Sequence, residues 1–186
     1  MNDHLPIFET TRLIGRTWAT ELAADALEIY GDPDVTRFIG GQTIPNVEEM
    51  VGKINEIIKK YRSLPKGMGS FAVHLKTTGS LVGTAMIKPI PNPNGEFTTD
   101  IEVGWHLGKR QWGKGYATEW GQKLIEIGFN QFKLDQIHAV VDPGNEKSKK
   151  VAVRLGMRHL GLTREYYEGK PIDHYMMTRD EYFSSS

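Results

Sequence analysis

The first third of the chain repeats apolar residues at the three- and four-residue spacing of an amphipathic helix, in two separate segments. In ATELAADALEIYGD, Thr20 is a candidate N-cap, and the pattern stops at Gly31 and Pro33. In NVEEMVGKINEIIKKY, Asn46 and Glu49 have the spacing of a capping box. The apolar stripe of this second segment consists of Val47, Met50, Ile54, Ile57 and Ile58. The pattern therefore predicts two helices, each with one buried face.

After Gly69 the pattern changes to that of strands. The segments SFAVHLK, LVGTAMIKP and TTDIEVGWHL are separated by glycine and by the turn-rich PIPNPNGE, which predicts an antiparallel meander. A helix pattern, ATEWGQKLIEIGFNQF, a buried strand, QIHAVVD, and a short helix closed by Gly156, EKSKKVAVRLG, follow in order. The segment MRHLGLTREYYEGKPIDHYMMT predicts a hairpin that turns at Glu168 to Lys170. Together these elements predict a mixed α/β (α+β) fold.

The composition and charge of the chain exclude several classes of protein. The 186 residues suit one domain, expected over residues 1–183, with a disordered tail at residues 184–186. The 23 basic and 23 acidic side chains cancel, so we expect no nonspecific nucleic-acid binding. Cysteine is absent and the six histidines are scattered, which excludes thiolate chemistry and gives a metal site no support. The chain has no apolar stretch of membrane-spanning length and no signal-peptide pattern, so we expect a cytoplasmic protein.

A glycine-rich stretch, LGKRQWGKGYATE at Leu107 to Glu119, joins the last strand of the meander to the helix that follows. A helix start presents unpaired backbone N–H groups at the positive end of the helix dipole, so an anion is the expected ligand. One interpretation is a P-loop, because Gly108 to Lys114 fits G-x-x-x-x-G-K and an apolar strand ends at Asp142. The residue after the lysine is Gly115, however, which lacks the hydroxyl group that a P-loop uses to bind magnesium.

The same stretch is part of an ordered set of segments that resembles the GNAT superfamily of acetyl-CoA-dependent N-acetyltransferases. The set is ETTRLIGRTW, IEVGWHL, WGKGYATE and NEKSKKVAVRLGM, and the resemblance covers essentially the whole chain. The family signature is Gln or Arg, two residues, Gly, one residue, and Gly or Ala; here Trp112, Gly115 and Ala117 occupy these slots. Trp112 departs from the signature, but an aromatic residue before Gly-Lys-Gly is common in the branch that this chain resembles most, which acetylates the N-terminal amines of ribosomal proteins. The resemblance implies a mostly antiparallel central sheet with helices on both faces.

The resemblance also implies that the anion is the pyrophosphate of acetyl-CoA, the co-substrate of the family. Its expected partners are backbone N–H groups at the start of the helix. The expected cofactor-binding residues are Trp112, Gly113, Lys114, Gly115, Tyr116, Ala117 and Thr118. The two glycines allow close approach because they lack a Cβ atom, although turn geometry alone is their alternative role. The side chains of Tyr116 and Trp120 are expected to pack within the helix. Leu107 is the implied backbone contact for the pantetheine arm.

The strand DIEVGWHL is expected to carry the chemistry because its polar residues share one face. That face consists of Asp100, Glu102, Gly104 and His106, while the opposite, packing face consists of Ile101, Val103, Trp105 and Leu107. Transfer of an acetyl group to an amine requires a route for the ammonium proton. Glu102 is the candidate general base, directly or through water, and a solvated carboxylate is its alternative role. His106 is the second candidate base.

Asn145 and Ser148 form a second cluster, at the start of the helix EKSKKVAVRLG. Asn145 is also a candidate N-cap of this helix, and the two roles are compatible. The resemblance implies that Asn145 contacts the pantetheine or diphosphate arm and that Ser148 donates a hydrogen bond or proton to the leaving thiolate. Many family members instead use a tyrosine seven residues after the asparagine, where this chain has Ala152. Tyr166, Tyr167 and water are the alternative acids.

The resemblance implies an enzyme that transfers an acetyl group from acetyl-CoA to a primary amine. No pattern identifies that amine; a ribosomal-protein N-terminus, another peptide α-amine, a polyamine and an aminoglycoside are the candidates. A catalytically silent module that binds or senses acyl-CoA is the alternative function, against which the presence of both Glu102 and Ser148 argues. A P-loop-like nucleotide-binding protein is the second alternative. We expect a monomer or a homodimer with no nucleic-acid or membrane partner.

Overall fold

A computed structural model describes residues 6–184 and contains, within them, eight strands and six α-helices. The strands are β1 (Phe8–Glu9), β2 (Leu13–Thr17), β3 (Gly69–Leu75), β4 (Leu81–Pro91), β5 (Phe97–Leu107), β6 (Gln136–Val141), β7 (Arg158–Thr163) and β8 (Ile172–Thr178). The helices are α1 (Ala23–Tyr30), α2 (Pro33–Thr36), α3 (Val47–Tyr61), α4 (Tyr116–Asn130), α5 (Glu146–Arg154) and α6 (Arg179–Ser184). Each helix and strand that the pattern predicts is present, whereas β1, β2, α2 and α6 were not predicted.

The eight strands of the described chain form one sheet, in the order β1-β2-β3-β4-β5-β6-β8-β7. The meander of β3, β4 and β5 lies side by side in chain order, as predicted. The antiparallel pairs include β1 with β2, β2 with β3, β6 with β8 and β7 with β8. Strands β5 and β6 pair in parallel, with Glu102 opposite His138. Parallel neighbouring strands need a crossover connection, and α4 lies in the connection between β5 and β6. This mixed, mostly antiparallel sheet confirms the predicted fold class.

The described chain separates into two compact units. The first consists of the residues up to Met86 together with Trp105–Trp120, and the second of Ile87–Gly104 together with the residues from Gly121 onward. One domain over residues 1–183 stays a prediction. Residues 1–5 lie outside the described residues, and so do two positions of the predicted tail, 185 and 186, while Ser184 is the last residue of α6.

Helices α1 and α3 supply the core of the first unit, where Ala26, Ile29, Met50 and Ile54 are buried with Trp18. The predicted cap of α3 is confirmed, since Asn46 Oδ1 accepts a hydrogen bond from Glu49 N at 2.9 Å. The predicted apolar stripe of α3 is only partly buried, because Val47 and Ile58 are 44% and 43% exposed. At 3.6 residues per turn these two positions lie at one edge of the stripe, away from its buried centre.

The predicted start of the first helical segment is wrong, whereas its predicted end at Gly31 is confirmed, because α1 ends at Tyr30 and Gly31 N donates to Leu27 O at 2.8 Å. Thr20 is not a cap: it begins a 3-10 turn over Thr20–Leu22, and α1 starts at Ala23 without a side-chain cap. Pro33 does not only end a helix; it starts α2, whose N-cap Asp32 accepts from Asp34 N at 2.8 Å. Proline is favoured in a first helical turn because its missing N–H group has no partner there.

The core of the second unit lies between α4 and β6. Its fully buried side chains include Leu124, Phe129 and Ile137. A Cβ atom added at Gly128 would lie 2.5 Å from Ile137 Cδ1, so the glycine permits close packing of this helix on β6. This packing fixes the strand that carries His138, the residue paired with Glu102.

Candidate active site

The glycine-rich loop lies in the first unit, between β5 and α4. After a 3-10 turn at Lys109–Gln111, Gly113 and Gly115 adopt φ angles of 76° and 80°. This left-handed conformation favours glycine. A Cβ atom added at Gly113 would meet nothing within 4 Å, and at Gly115 the nearest atom would be Arg12 Nη2 at 3.5 Å. Both glycines therefore present open main chain.

The backbone N–H groups of this loop are almost all uncommitted. Glu119 N donates to Gly115 O at 3.0 Å, which is the first hydrogen bond of α4. The N–H groups of residues 113–118 donate to no group in the described part of the chain. Trp112 N, by contrast, donates to Lys109 O at 3.2 Å inside the 3-10 turn, so this one N–H of the predicted set is already used. The others form a cluster of donors at the positive end of a helix dipole, which suits an anion.

The side chain of Trp112 holds the main chain at the end of β5. Its indole Nε1 donates to Leu107 O at 3.0 Å. The carbonyl oxygen of Leu107 therefore has one lone pair committed to the indole group. A Cβ atom at Gly83 would lie 2.0 Å from His106 O, so the adjacent strand can approach this segment only because position 83 is glycine.

His106, the second candidate base, is oriented by Tyr30. The Tyr30 hydroxyl lies 3.3 Å from His106 Nδ1 and also bonds the Thr84 hydroxyl. Burial raises the pKa of Tyr30 to about 12, against the opposing effect of the Thr84 hydrogen bond. Tyr30 therefore stays a neutral hydroxyl at physiological pH and holds His106 by hydrogen bonding without adding charge.

Glu102 lies in the second unit and is only 4% exposed, so it is not the solvated carboxylate of the alternative interpretation. Its Oε1 accepts hydrogen bonds from Lys88 Nζ and from the Tyr167 hydroxyl. Lys88 is equally buried, and its Nζ also donates to the Tyr167 hydroxyl at 2.7 Å. Among the described residues no donor reaches Oε2. Oε2 is therefore the oxygen that can accept a proton from an amine.

The turn between β7 and β8 holds Tyr167 in this cluster. Tyr167 and Glu168 have φ angles of 45° and 62°, and the turn closes through a hydrogen bond from Gly169 N to Tyr166 O at 3.1 Å. The predicted hairpin turn is confirmed. Left-handed conformations are uncommon for residues other than glycine and cluster at functional sites. The link from Tyr167 and Lys88 to Glu102 had no signal in the sequence, because the three residues lie on separate segments.

A second polar group in this unit surrounds Asp100. The Tyr166 hydroxyl donates to Asp100 Oδ2 at 2.8 Å, and burial together with this carboxylate raises the pKa of Tyr166. His138 Nδ1 and His174 Nε2 lie 2.8 Å apart in stacked rings, and burial lowers the pKa of both. Tyr166 is thus held as a neutral donor to Asp100, which disfavours it as a proton donor to a thiolate.

Asn145 and Ser148 lie together at the start of α5 in the second unit. Asn145 Oδ1 accepts from Ser148 N at 3.1 Å, so Asn145 is the N-cap of α5. Ser148 is half-buried, and Ala152 is fully buried in the core. The next residue, Lys149, binds Asp173 at 2.8 Å. This ion pair ties the first turn of α5 to β8.

The predicted site residues thus fall into two groups. Leu107 and the segment 112–118 lie in the first unit, and Glu102, Asn145 and Ser148 in the second. Over residues 6–184, no three His, Asp or Glu side chains are grouped so as to hold a metal ion. None of the helices in that range is both long and apolar enough to span a membrane.

Known proteins resemble this chain in sequence and in structure. A family profile described as "Acetyltransferase (GNAT) domain" matches residues 12–158. "Uncharacterized N-acetyltransferase p20" of Bacillus licheniformis is 33% identical over 174 residues, 91% of this chain and 93% of that protein. A Vibrio cholerae protein provisionally assigned as a ribosomal-protein-serine acetyltransferase superposes with a TM-score of 0.74 at 22% identity, over 96% of this chain and 99% of the other. Spermidine N-acetyltransferase from Vibrio cholerae, in complex with CoA and spermine, superposes with a TM-score of 0.69 at 15% identity, over 92% and 98%. At these identities the two structures establish a shared fold.

Proposed function

The chain belongs to the GNAT acetyltransferase family, and on that premise we propose that it acetylates the free N-terminus of a protein or peptide. It is an N-acetyltransferase with acetyl-CoA as co-substrate. The proposal concerns the identity of the amine that accepts the acetyl group. One neighbour of the same fold is provisionally assigned to ribosomal-protein serine and another acetylates spermidine, so similarity alone leaves a peptide N-terminus and a polyamine open.

The neutral pair of Lys88 and Glu102 carries the proposal for the acceptor. A polyamine brings several positive charges, and binding them requires carboxylates that are not already neutralised. Here the buried carboxylate of Glu102 is balanced by Lys88, whereas the uncharged Tyr166 hydroxyl that donates to Asp100 does not balance that carboxylate. A single unbalanced carboxylate matches one ammonium group and not the several charges of a polyamine. A peptide N-terminus brings a single ammonium group, which loses its charge on deprotonation. The second unit therefore suits a peptide α-amine better than a polyamine.

The glycine-rich loop is proposed to bind the diphosphate of acetyl-CoA. The uncommitted N–H groups of residues 113–118 and the open glycines fit a phosphate group. Acetyl-CoA supplies the thioester whose acetyl group the amine receives. The Leu107 carbonyl, positioned by the Trp112 indole, is the proposed acceptor for an amide group of the pantetheine arm.

Two side chains of the second unit are proposed to handle protons. Glu102 accepts the ammonium proton at Oε2, while Lys88 and Tyr167 hold the carboxylate through Oε1. Ser148 donates to the leaving thiolate. The tyrosines that were its alternatives are engaged elsewhere, since Tyr166 donates to Asp100 and Tyr167 to Glu102.

A thiol-release assay with acetyl-CoA and a panel of amines tests this function. The panel contains a serine- or alanine-initiated peptide, the same peptide with a blocked N-terminus and one internal lysine, spermidine, and an aminoglycoside. We expect the highest kcat/KM with the free α-amine and none with the blocked control. A preference for spermidine would replace the peptide by a polyamine acceptor. CoA binding without thiol release from any amine would favour the non-catalytic module.

A further inference from the structure

Arg12 lies directly before β2 and contacts the glycine-rich loop through its guanidinium group. Nη1 donates to Lys114 O at 3.0 Å, and Nε donates to Glu119 Oε2 at 2.6 Å. The guanidinium carbon lies 4.5 Å from the centroid of the Tyr116 ring. A residue 102 positions earlier in the chain thus holds the carbonyl group of Lys114, the residue between the two loop glycines.

The position of Arg12 is fixed from several sides. Its N–H donates to Glu119 Oε1 at 2.8 Å, and its carbonyl oxygen accepts from Lys76 N at 2.9 Å. Thr10 Oγ1 donates to the same Glu119 oxygen at 2.6 Å. Burial raises the pKa of Glu119, but the hydrogen bonds from Thr10 and Arg12 outweigh it and lower the pKa. Glu119 therefore remains an anion near neutral pH, and its charge holds the guanidinium in place.

The peptide unit between Lys114 and Gly115 needs such a constraint. In a trans peptide the C=O and N–H groups point in opposite directions, so a carbonyl held toward Arg12 turns the Gly115 N–H away from Arg12. Glycine populates positive and negative φ about equally, so this peptide unit is free to rotate unless another group holds it. Rotation would present a carbonyl oxygen instead of an N–H donor, and an oxygen repels a phosphate.

We propose that Arg12 is a positioning residue for the CoA diphosphate, which keeps the Gly115 N–H in its donating orientation by holding the Lys114 carbonyl. This inference rests on the proposed binding of the diphosphate at the loop. It differs from a direct role of the positive charge, because the guanidinium is already paired with Glu119. A lysine at position 12 keeps the charge but lacks the planar set of donors that bonds a carbonyl and a carboxylate together.

The Arg12→Lys substitution tests the proposal with two acetyl donors, acetyl-CoA and the shorter acetylpantetheine. We expect the Kd for CoA, measured by calorimetry, to rise about ten- to hundredfold, as for loss of a hydrogen bond to a charged group. The kcat/KM for acetylpantetheine, which lacks the diphosphate, should stay at the wild-type value. The melting temperature should change little, because the Arg12 side chain is 46% exposed and exposed ion pairs contribute little to stability.

Arg37→Lys is the matched control. Arg37 also combines an ion pair, to Asp34 at 3.7 Å, with a stacked ring, Phe38 at 4.6 Å, and it should keep wild-type Kd values. Glu119→Gln, which weakens the hold on Arg12, should cause a smaller loss confined to CoA. Wild-type CoA affinity in Arg12→Lys, or equal losses with acetyl-CoA and acetylpantetheine, would overturn the proposal. A wild-type protein that binds no CoA would instead remove the proposed function itself.

Discussion

The carboxylate of Glu102 has one committed oxygen and one open oxygen. Oε1 accepts from Lys88 and Tyr167, whereas Oε2 accepts from no described residue. The two donors hold Oε1 in place, and such positioning is the pre-organisation that a general base requires. The same burial makes the pair with Lys88 sensitive to loss of either partner, because a buried charge left alone is costly. Activity and stability therefore have separate tests at this residue.

Glu102→Gln keeps the shape of the side chain and removes its capacity to take a proton. We expect kcat to fall by about 10²- to 10⁴-fold, as for loss of a general base. The defect should shrink as pH rises, because more of the acceptor amine then arrives deprotonated. Kinetics of the variant across pH measure both effects, with Glu126→Gln, which alters an exposed carboxylate paired with Lys123, as the control. A raised acceptor KM with unchanged kcat would make Glu102 a binding residue for the ammonium group.

Lys88→Met leaves the carboxylate of Glu102 buried without its partner. We expect the free energy of unfolding to fall by about 3–5 kcal/mol, because both side chains are 5% exposed and the remaining charge is uncompensated. The double variant Lys88→Met/Glu102→Gln should recover most of that loss, because no charge then remains buried. Urea denaturation of the four proteins of this cycle measures the coupling. Additive losses would contradict a coupled buried pair.

At the scale of secondary-structure elements, the junction of the glycine-rich loop with α4 combines left-handed glycines and free helix N–H groups. Gly115 directly precedes the first residue of α4, Tyr116, and has a φ angle of 80°. The positive end of the helix dipole is carried by these open N–H groups, which therefore favour an anion at this junction. A negative side chain at this junction would compete directly for the position of a bound anion.

Gly115→Asp should weaken CoA binding severely while the protein stays folded, because it adds a Cβ atom and a negative charge beside the N–H groups. Gly79→Asp is the matched control: Gly79 has a φ angle of 72° and open space around its Cβ position, but it lies outside the loop. Both variants place aspartate at a similar positive φ angle, so calorimetry with CoA isolates the effect at the loop. Equal CoA affinity in the two variants would place the diphosphate elsewhere.

Strands β6 and β8 pair in the sheet, and a hydrogen bond between the rings of His138 and His174 also connects them. Burial lowers the pKa of both below the ordinary value of 6.5, although Asp100 opposes this shift at each of them. The unfolded chain therefore binds protons at a higher pH than the folded chain. The stability that the pair contributes is complete above about pH 6.5 and is lost as pH falls below that value.

His174→Gln should reduce the dependence of unfolding free energy on pH just below 6.5, the ordinary histidine value. The full slope per titrating group is about 1.4 kcal/mol per pH unit. Some slope should remain, because burial also lowers the pKa of His138 and of His74 in the first unit. Denaturant titrations at a series of pH values measure it, and an unchanged slope would show that His174 does not titrate with folding.

At the scale of the whole molecule, net charge contributes nothing to the attraction of an anionic cofactor. The chain carries 23 basic and 23 acidic side chains, so binding of CoA depends on local donors and not on a general positive field. A ligand that binds the folded state alone stabilises it by mass action. If CoA binds at the proposed loop, that local contact should raise the stability of the whole protein.

CoA should raise the melting temperature, with a stabilisation of about 2.7 kcal/mol at a concentration one hundred times its Kd. ATP with magnesium should raise it less, because Gly115 provides no hydroxyl group for the metal. Differential scanning fluorimetry with both ligands measures the shifts, and Gly115→Asp serves as the protein that should not respond to CoA. A larger shift with magnesium and ATP than with CoA would favour nucleotide binding.

Local sequence pattern alone was sufficient to predict most helices and strands and the glycine-rich turn before α4. Hydrophobic periodicity identified α3, α4 and the meander, because a buried face repeats within a few residues of the same element. The caps Asn46 and Asn145 were equally visible, since a capping side chain bonds a backbone group three residues away. The pattern did not predict strand β2, because this strand is only five residues long and its strand character depends on pairing with β3.

Only the tertiary structure decided what surrounds the candidate site residues. Lys88 and Tyr167 lie 14 and 65 positions from Glu102, so no short-range pattern connects the three. The hold of Arg12 on Lys114 likewise joins distant segments, and it exists because the chain around β2 returns to the loop. The sequence by itself determined which chemical groups are present and which segments form most of the helices and strands. The tertiary structure determined their burial and partners, because hydrogen bonds and ion pairs depend on distance in space and not on separation along the chain.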